Sequence, residues 1–258
     1  MPIHSPQFQV SHAQSPDDLR AAQKLRYAVF IRELGGAGDM VDHAAQLECD
    51  RFDDFADHLL LRDLARPADD QTVGVYRLLT QAQADQAGQF YCEDEFDLTV
   101  LRQSGKRLLE LGRSCLHPDY RGGAAMMHLW GALADYVALA EIDVLFGAAS
   151  FHGTDVDRLA APLSLLYHRH LAPETLRVTA KGPSAADMNR LPPEQIDRVS
   201  AMRDTPALIK AYLRLGGTVG DGAFVDKLFN TTDICMVLAA DAVSQLQRDI
   251  YVRGGQNV

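Results

Sequence analysis

Basic residues are scarce in this 258-residue chain: 25 Lys and Arg stand against 35 Asp and Glu, for a formal charge of −10. The longest basic run is Lys106-Arg107. A surface that grips a phosphate backbone needs clustered Lys and Arg, so nucleic acid is excluded as a partner, and any other anionic partner must be met by a local basic patch. Cysteine is scarce too. Cys49, Cys92, Cys115 and Cys235 lie far apart, with no C-x-x-C pair and no signal-peptide-like segment ahead of them, so the simplest compartment is a reducing cytoplasm. Long apolar runs are missing: the most apolar stretch, Ala124 to Ala149, is broken by His128, Asp135, Glu141 and Asp143. No segment reads as a bilayer-spanning helix, and any membrane contact is expected to be peripheral. His168 and His170 match neither an H-E-x-x-H pair nor a tetrahedral ligand set, so no metal is expected.

What is present describes a folded chain. Apolar residues make up 47% and charged residues 23%, with only 19 Gly and 11 Pro, which predicts a packed core rather than disorder. Phe8 to Ala13 reads as a strand. Ser15-Pro16-Asp17-Asp18 starts a helix that carries Leu19, Ala22, Leu25 and Val29 at helical spacing and stops at Gly35-Gly36. Asp39 to Asp57 and Phe90 to Leu98 lack a period and read as acidic, aromatic loops. Between them, His58 to Asp63 and Thr72 to Thr80 form an antiparallel hairpin around Pro67 and Asp69-Asp70. A strand from Arg107 to His117, a helix from Ala124 to Ala140 and a strand from Asp143 to Ser150 form a β-α-β unit. A helix from Thr154 to His168, a strand near Leu176 to Ala180, a helix from Pro206 to Leu215 and strands at Phe224 to Phe229 and Asp233 to Leu238 complete the chain. There is no repeat and no linker. We expect a single α+β domain over residues 1–258, an α/β sandwich with a mixed central sheet, and a mobile insertion near 183–203.

The strand-turn-helix unit from Glu110 to Ala125 carries the chemistry. A turn of small residues at a helix N-terminus gathers backbone N–H groups at one point, where the helix dipole also favours negative charge. Gly122 and Gly123, with Arg121 beside them, can hold a phosphate; a Gly pair also serves as a plain tight turn. Glu110 lies among Leu108, Leu109 and Leu111, and Arg77 shares a strand face with Val73, Val75 and Leu79. Both charges enter the interior and neither can stay there unpaired. Glu110 and Arg113 face opposite sides of a regular strand, so a bulge near Gly112 is predicted to bring them to one side.

The strand, bulge and R-G-G turn resemble the acyl-thioester motif of the GNAT-like acyltransferase fold. The phrases Leu25-Arg-Tyr-Ala-Val-Phe30, Asp50-Arg-Phe-Asp53, Asp57-His-Leu-Leu60, Val73-Gly-Val-Tyr-Arg-Leu-Leu79, Glu110 to Gly123 and Phe229-Asn-Thr-Thr-Asp233 resemble the L-ornithine Nα-acyltransferases of bacterial ornithine-lipid synthesis. The pattern of Arg26, Phe30, Asp50, Asp53, Arg77, Glu110 and Arg113 is also similar to acyl-homoserine-lactone synthases, which share the donor chemistry and differ in acceptor. Ala124 and Met126 occupy small-residue positions of the turn and crowd a diphosphate, which favours a carrier-linked donor over coenzyme A.

The resemblance implies two middle strands that splay apart to admit a pantetheine arm, with the backbone N–H of Cys115 or Leu116 facing the thioester oxygen. It implies donor binding by His117, Arg121, Gly122, Gly123, Ala124 and Ala125, although His117 also suits a capping role. The donor would be acyl-phosphopantetheine on acyl carrier protein, with no permanently bound cofactor. The acceptor would be L-ornithine, attacking through its α-amine: Asp50 and Asp53 are candidates for its distal ammonium, Arg26 or Arg77 for its carboxylate, and Phe30 for its flank. Glu110, with Arg113 beside it, is either the base or a structural ion-pair partner. Cys115 reads as a buried thiol without a partner base. Arg102, Lys106, Arg107, Arg121, Lys181 and Lys210 are available for a face that meets an acidic carrier protein. The expected product is lyso-ornithine lipid, made in the cytoplasm, with peripheral contact at the inner membrane. Glutamine as acceptor, a lactone synthase and a non-catalytic acyl-carrier or lipid-binding regulator are the alternatives.

Overall fold

The computed structural model describes residues 5–240. In chain order the strands are β1 (Phe8–His12), β2 (Asp57–Asp63), β3 (Thr72–Thr80), β4 (Phe96–Asp97), β5 (Leu108–Leu116), β6 (Val144–His152), β7 (Thr179–Ala180), β8 (Ala185–Ala186), β9 (Thr218–Val219), β10 (Ala223–Asp226) and β11 (Thr231–Ala239). The α-helices are α1 (Pro16–Arg26), α2 (Gln81–Ala87), α3 (Thr99–Arg102), α4 (Ala125–Leu139), α5 (Ala160–His170), α6 (Arg198–Asp204) and α7 (Ala207–Arg214). Two compact units form, one from the residues up to Gly88 with Leu111–Glu141, the other from Gln89–Glu110 with the residues from Ile142 on.

In the first unit, β1 pairs antiparallel with β2 and β2 with β3, and β5 lies beside β3. The Ser15 hydroxyl caps α1 by accepting the Asp18 N–H at 3.2 Å, and Asp17 and Asp18 sit where the helix dipole favours them. The helical run does not stop at Arg26 but widens into a π-helix over Tyr27–Glu33 before Gly35, at φ +75°, ends it. Ala22, Leu25 and Val29 pack on Leu60, Val75 and Cys115. Consecutive strand residues point to opposite faces. A Cβ placed on Gly74, one residue before Val75, would meet Leu129 of α4, so α1 and α4 cover opposite faces of this sheet.

In the second unit, Leu108, Leu109 and Glu110 of β5 pair parallel with Val144, Leu145 and Phe146 of β6. β11 runs antiparallel to β6 along nine residue pairs, with β10 and then β8 beyond it and β9 also on β11. The segment read as an insertion, 183–203, carries β8 and most of α6, and Ile196 and Ala201 pack on Leu165 of α5. The Ser164 hydroxyl pins the same segment, donating to Met188 O and accepting from the Arg190 and Leu191 N–H groups. The helix read from Thr154 begins only at Ala160, and the short α2 and α3 carry no clear period in the sequence. No helix of the described residues is long and apolar enough to cross a membrane.

Gly74 is closed in on three sides: a Cβ there would lie 2.7 Å from Leu116 Cδ2, 3.1 Å from Leu129 Cδ1 and 3.2 Å from Leu61 Cβ. Gly74→Ala is therefore expected to cost about 1–3 kcal/mol, read as a lower midpoint of urea unfolding; an unchanged midpoint would show that the two leucines can withdraw.

Candidate active site

Six charged side chains of the first unit form one alternating network. Arg26 comes from the end of α1, Glu48, Asp50 and Asp53 from the loop that follows, Arg77 from β3 and Arg113 from β5. Arg26 donates through Nε to Glu48 and through Nη1 to Asp53 Oδ1 at 2.8 Å. Arg77 Nη1 donates to Asp50 Oδ2 at 2.5 Å and Asp53 Oδ1 at 3.1 Å. Arg113 closes the chain through Glu48 Oε1 at 3.1 Å and Asp50 Oδ2 at 2.9 Å. Three guanidiniums thus alternate with three carboxylates, which is what burial of these charges demands. Around Asp53, Gln23 donates to Oδ2 at 3.0 Å and His58 Nε2 lies 3.0 Å from the backbone oxygen.

Burial pushes the Asp50 carboxyl up, but the Arg77 and Arg113 guanidiniums outweigh it and hold the group below its ordinary value. Asp53 is held low in the same way, chiefly by Arg26. The network is graded in exposure: the Arg26 side chain is 0% exposed and Arg77 3%, whereas Arg113 reaches 11% and Asp50 17%. Phe30 packs against the neighbouring apolar cluster.

Strand β5 is irregular where the sequence spacing asks for it, one residue later than Gly112. Arg113 adopts φ +51°, a left-handed conformation that a side chain resists. Its two ion pairs hold it there. Gly112 lies close under Arg77, whose Nε would be 3.6 Å from a Cβ at that position.

His117 donates its N–H to Val73 O on β3 at 2.8 Å. Successive amides along a strand alternate in direction, so Cys115 turns its N–H to β3 as well, while Leu116 turns its N–H to the other side of β5. The Cys115 thiol is buried and pushed up to about 12, mainly by burial. His117 caps the short 3₁₀ turn Pro118–Tyr120, its Nδ1 accepting the Asp119 N–H at 3.3 Å. Gly122 has φ +73°, and α4 starts after Ala124, which has no side chain able to cap it. Arg121 donates through Nε to Leu116 O at 3.2 Å and through Nη1 and Nη2 to the two carboxylate oxygens of Glu33 at 2.6 and 2.8 Å.

Glu110 is buried in the second unit. Its Oε2 accepts the Tyr91 N–H at 2.8 Å and its Oε1 the Cys92 N–H at 2.6 Å, at the start of the 3₁₀ turn Tyr91–Asp94. Among the basic residues proposed for a docking face, Arg102 donates to Glu93 at 2.6 Å and Arg107 lies 3.7 Å from Asp143. The same unit brings Glu95, Asp226 and Asp233 together, with carboxylate oxygens within 4.8 Å of one another, close enough to share a cation.

The structure therefore gathers Arg26, Asp50, Asp53, Arg77 and Arg113, and groups His117, Arg121 and the Gly122-Gly123 corner at the start of α4. Sequence reasoning passed over Glu48 and Glu33. Glu48 stands between Leu47 and Cys49, the same apolar flanking that singled out Glu110. Glu33 ends a helical run, where the backbone dipole disfavours a carboxylate. The acidic trio shows no local signal, since its members come from three separate segments.

A family model described as an acetyltransferase (GNAT) domain matches residues 25–131. A protein of Rhodobacter capsulatus named L-ornithine N(alpha)-acyltransferase is 54% identical over 95% of this chain and 95% of its own. One of the same name from Brucella abortus is 40% identical over 95% of this chain and 88% of its own. Among solved structures, a CoA-dependent acyl-homoserine lactone synthase, BjaI, shares the fold with a TM-score of 0.55 at 12% identity, covering 95% of this chain and 90% of its own.

Because Asp50 and Asp53 are held low when folded, the unfolded chain takes up more protons. Their stabilisation is complete above the ordinary carboxylate value near ~3.9 and drains away as pH falls through the lower folded values. Asp53→Asn, which leaves Arg26 and Arg77 short of a buried counter-charge, is expected to cost about 3–5 kcal/mol at pH 7 and to weaken the acid dependence. Urea unfolding midpoints between pH 7 and 2.5 test this; a variant as stable as the parent would show that water replaces the carboxylate.

Proposed function

We propose that this chain, which belongs to the L-ornithine Nα-acyltransferase family and is an acyltransferase, moves a 3-hydroxyacyl chain from acyl carrier protein to the α-amine of L-ornithine, giving lyso-ornithine lipid. The observation that carries the reading is the near-full-length likeness to relatives bearing that name. The site geometry supports it residue by residue.

The acceptor attacks as a neutral amine. An α-amine titrates near ~8 and a side-chain amine near ~10.4, so at neutral pH the α position offers far more of the reactive form while the distal group stays charged. Its nitrogen adds to the thioester carbonyl, the carbonyl oxygen takes up negative charge, the C–S bond breaks, and the pantetheine thiol and the amide are released after the amine gives up its proton. The Leu116 N–H is the donor we assign to that oxygen, in preference to Cys115, whose N–H turns to β3; one such donor supplies ~3 kcal/mol. The acceptor meets the open edge of the charge network, with Asp50 on its ammonium and Arg113 near its carboxylate. Arg26, Arg77 and Asp53 hold that edge from behind, and Phe30, packed on the apolar cluster of α1, is assigned to the acceptor's flank.

The Arg121-Gly122-Gly123 corner, with His117 beside it and the Ala124 and Ala125 amides behind, takes the phosphodiester of the donor arm. Met126 at the following position leaves less room for a diphosphate, which supports the carrier-linked donor. Lys106 and Arg107 are exposed and suit contact with an acidic carrier protein. The product is an amphiphile, so its natural destination is the inner-membrane surface, reached by peripheral contact.

Of the two duties open to Glu110, the geometry supports the structural one: both of its oxygens already receive backbone N–H groups. Glu110→Gln is then expected to lower stability and to reduce kcat by no more than about tenfold; a fall of ~10²–10⁴ would make Glu110 the base. The reaction itself is tested by incubating the protein with 3-hydroxyacyl carrier protein and a panel of amino acids and S-adenosylmethionine, then weighing the products. An N-acylornithine is expected. A lactone, another N-acyl amino acid as main product, or donor binding without turnover would each overturn the assignment.

A further inference from the structure

We propose that Glu33 is an internal stand-in for the donor's phosphate, occupying the fork of Arg121 until the donor displaces it and so setting how strongly a donor must bind. The proposal rests on the reading that the Arg121-Gly122-Gly123 corner receives the phosphodiester of the pantetheine arm. Both terminal nitrogens of Arg121 meet both oxygens of Glu33, at 2.6 and 2.8 Å. This two-pronged geometry is the one a guanidinium uses on phosphate oxygens. The third donor, Nε, is bonded to Leu116 O at 3.2 Å, so the fork is already aimed by the residue whose own N–H is assigned to the thioester oxygen.

Two features mark the contact as exchangeable rather than architectural. First, it is wet: the Arg121 and Glu33 side chains are 42% and 35% exposed, against 0–17% for the arginine–carboxylate network nearby. Water competes with such a pair, so the fork holds Glu33 less tightly than the same geometry would if buried. Second, Glu33 is the last residue of the π-helical run, where the backbone dipole opposes an anion, so its own helix gains nothing from it. The fifteen-residue helix α4 meanwhile begins without a side-chain cap on its first amides. A phosphate arriving at the corner can thus gain both the fork of Arg121 and those amides, whereas Glu33 engages the fork. The arm of a docked carrier protein delivers its phosphate at high local concentration and wins this exchange; a small anion free in solution competes less well. Glu33 is accordingly a specificity-determining residue acting through Arg121.

Steady-state kinetics with 3-hydroxyacyl carrier protein test this in Glu33→Gln, Arg121→Gln and the double variant, each checked for an unaltered unfolding midpoint. Glu33→Gln is expected to lower the donor KM about two- to fivefold at unchanged kcat, as release of a surface ion pair allows. Arg121→Gln is expected to raise the donor KM, and the double variant to match Arg121→Gln alone. If Arg121→Gln raises KM while Glu33→Gln leaves it unchanged, the stand-in is refuted and the corner reading survives. If neither variant moves KM, the corner reading falls and takes the proposal with it. If Glu33→Gln lowers KM equally in both backgrounds, Glu33 acts as a diffuse charge and the proposal is likewise overturned.

Discussion

The charge network of Arg26, Glu48, Arg113, Asp50, Arg77 and Asp53 is the constraint on which the arrangement of the first unit depends. Six ionised groups cannot leave water singly, so each must find its partners in one arrangement. That requirement ties the end of α1, an irregular loop, β3 and β5 to one another. It also explains why a loop without period or secondary structure is held in place: Glu48, Asp50 and Asp53 are its anchors. Loops of this length in a packed unit are commonly functional, and this one supplies all three carboxylates.

Two uses of arginine coexist in this unit. Arg26 and Arg77 are locked by burial and double pairing, and their contribution is to fix positions. Arg121 is half open and carries a partner that water can compete for. Arg113 lies between the extremes, buried enough to need Glu48 and exposed enough to face a solute. The difference between the two uses is set by accessibility rather than by the side chain.

Much of this was legible in the sequence because the signals were local. The hairpin of β2 and β3 announces itself through β-branched and leucine-rich runs around Pro67, α4 through its long, mostly apolar stretch, and α1 through Ser15 and Pro16 at its start. A kink in β5 was expected near Gly112 to bring Glu110 and Arg113 to one side; the left-handed residue is Arg113, paired with Glu48 and Asp50, while Glu110 holds the Tyr91 and Cys92 amides. What stayed hidden depends on distant pairing. The partners of Arg26, the turn that Glu110 holds, the extension of α1 into a π-helix and the contact between Glu33 and Arg121 have no local signature, since each is decided by what another segment brings. The start of α5 was placed too early, at Thr154 rather than Ala160, and the contacts that Ser164 and the apolar side chains of α5 make with the stretch 183–203 have no local signature either.

The left-handed residue in β5 bears on the order in which this unit folds. Arg113 adopts its backbone conformation against its own preference, and the partners that hold it, Glu48 and Asp50, lie 65 and 63 residues earlier in the chain. Until that long loop closes, nothing favours the turn. The β2–β3 hairpin needs no such remote help, and contacts of short separation are reached first. On loop-closure grounds the β2–β3 hairpin is therefore more easily reached than the end of β5 that carries the Leu116 amide.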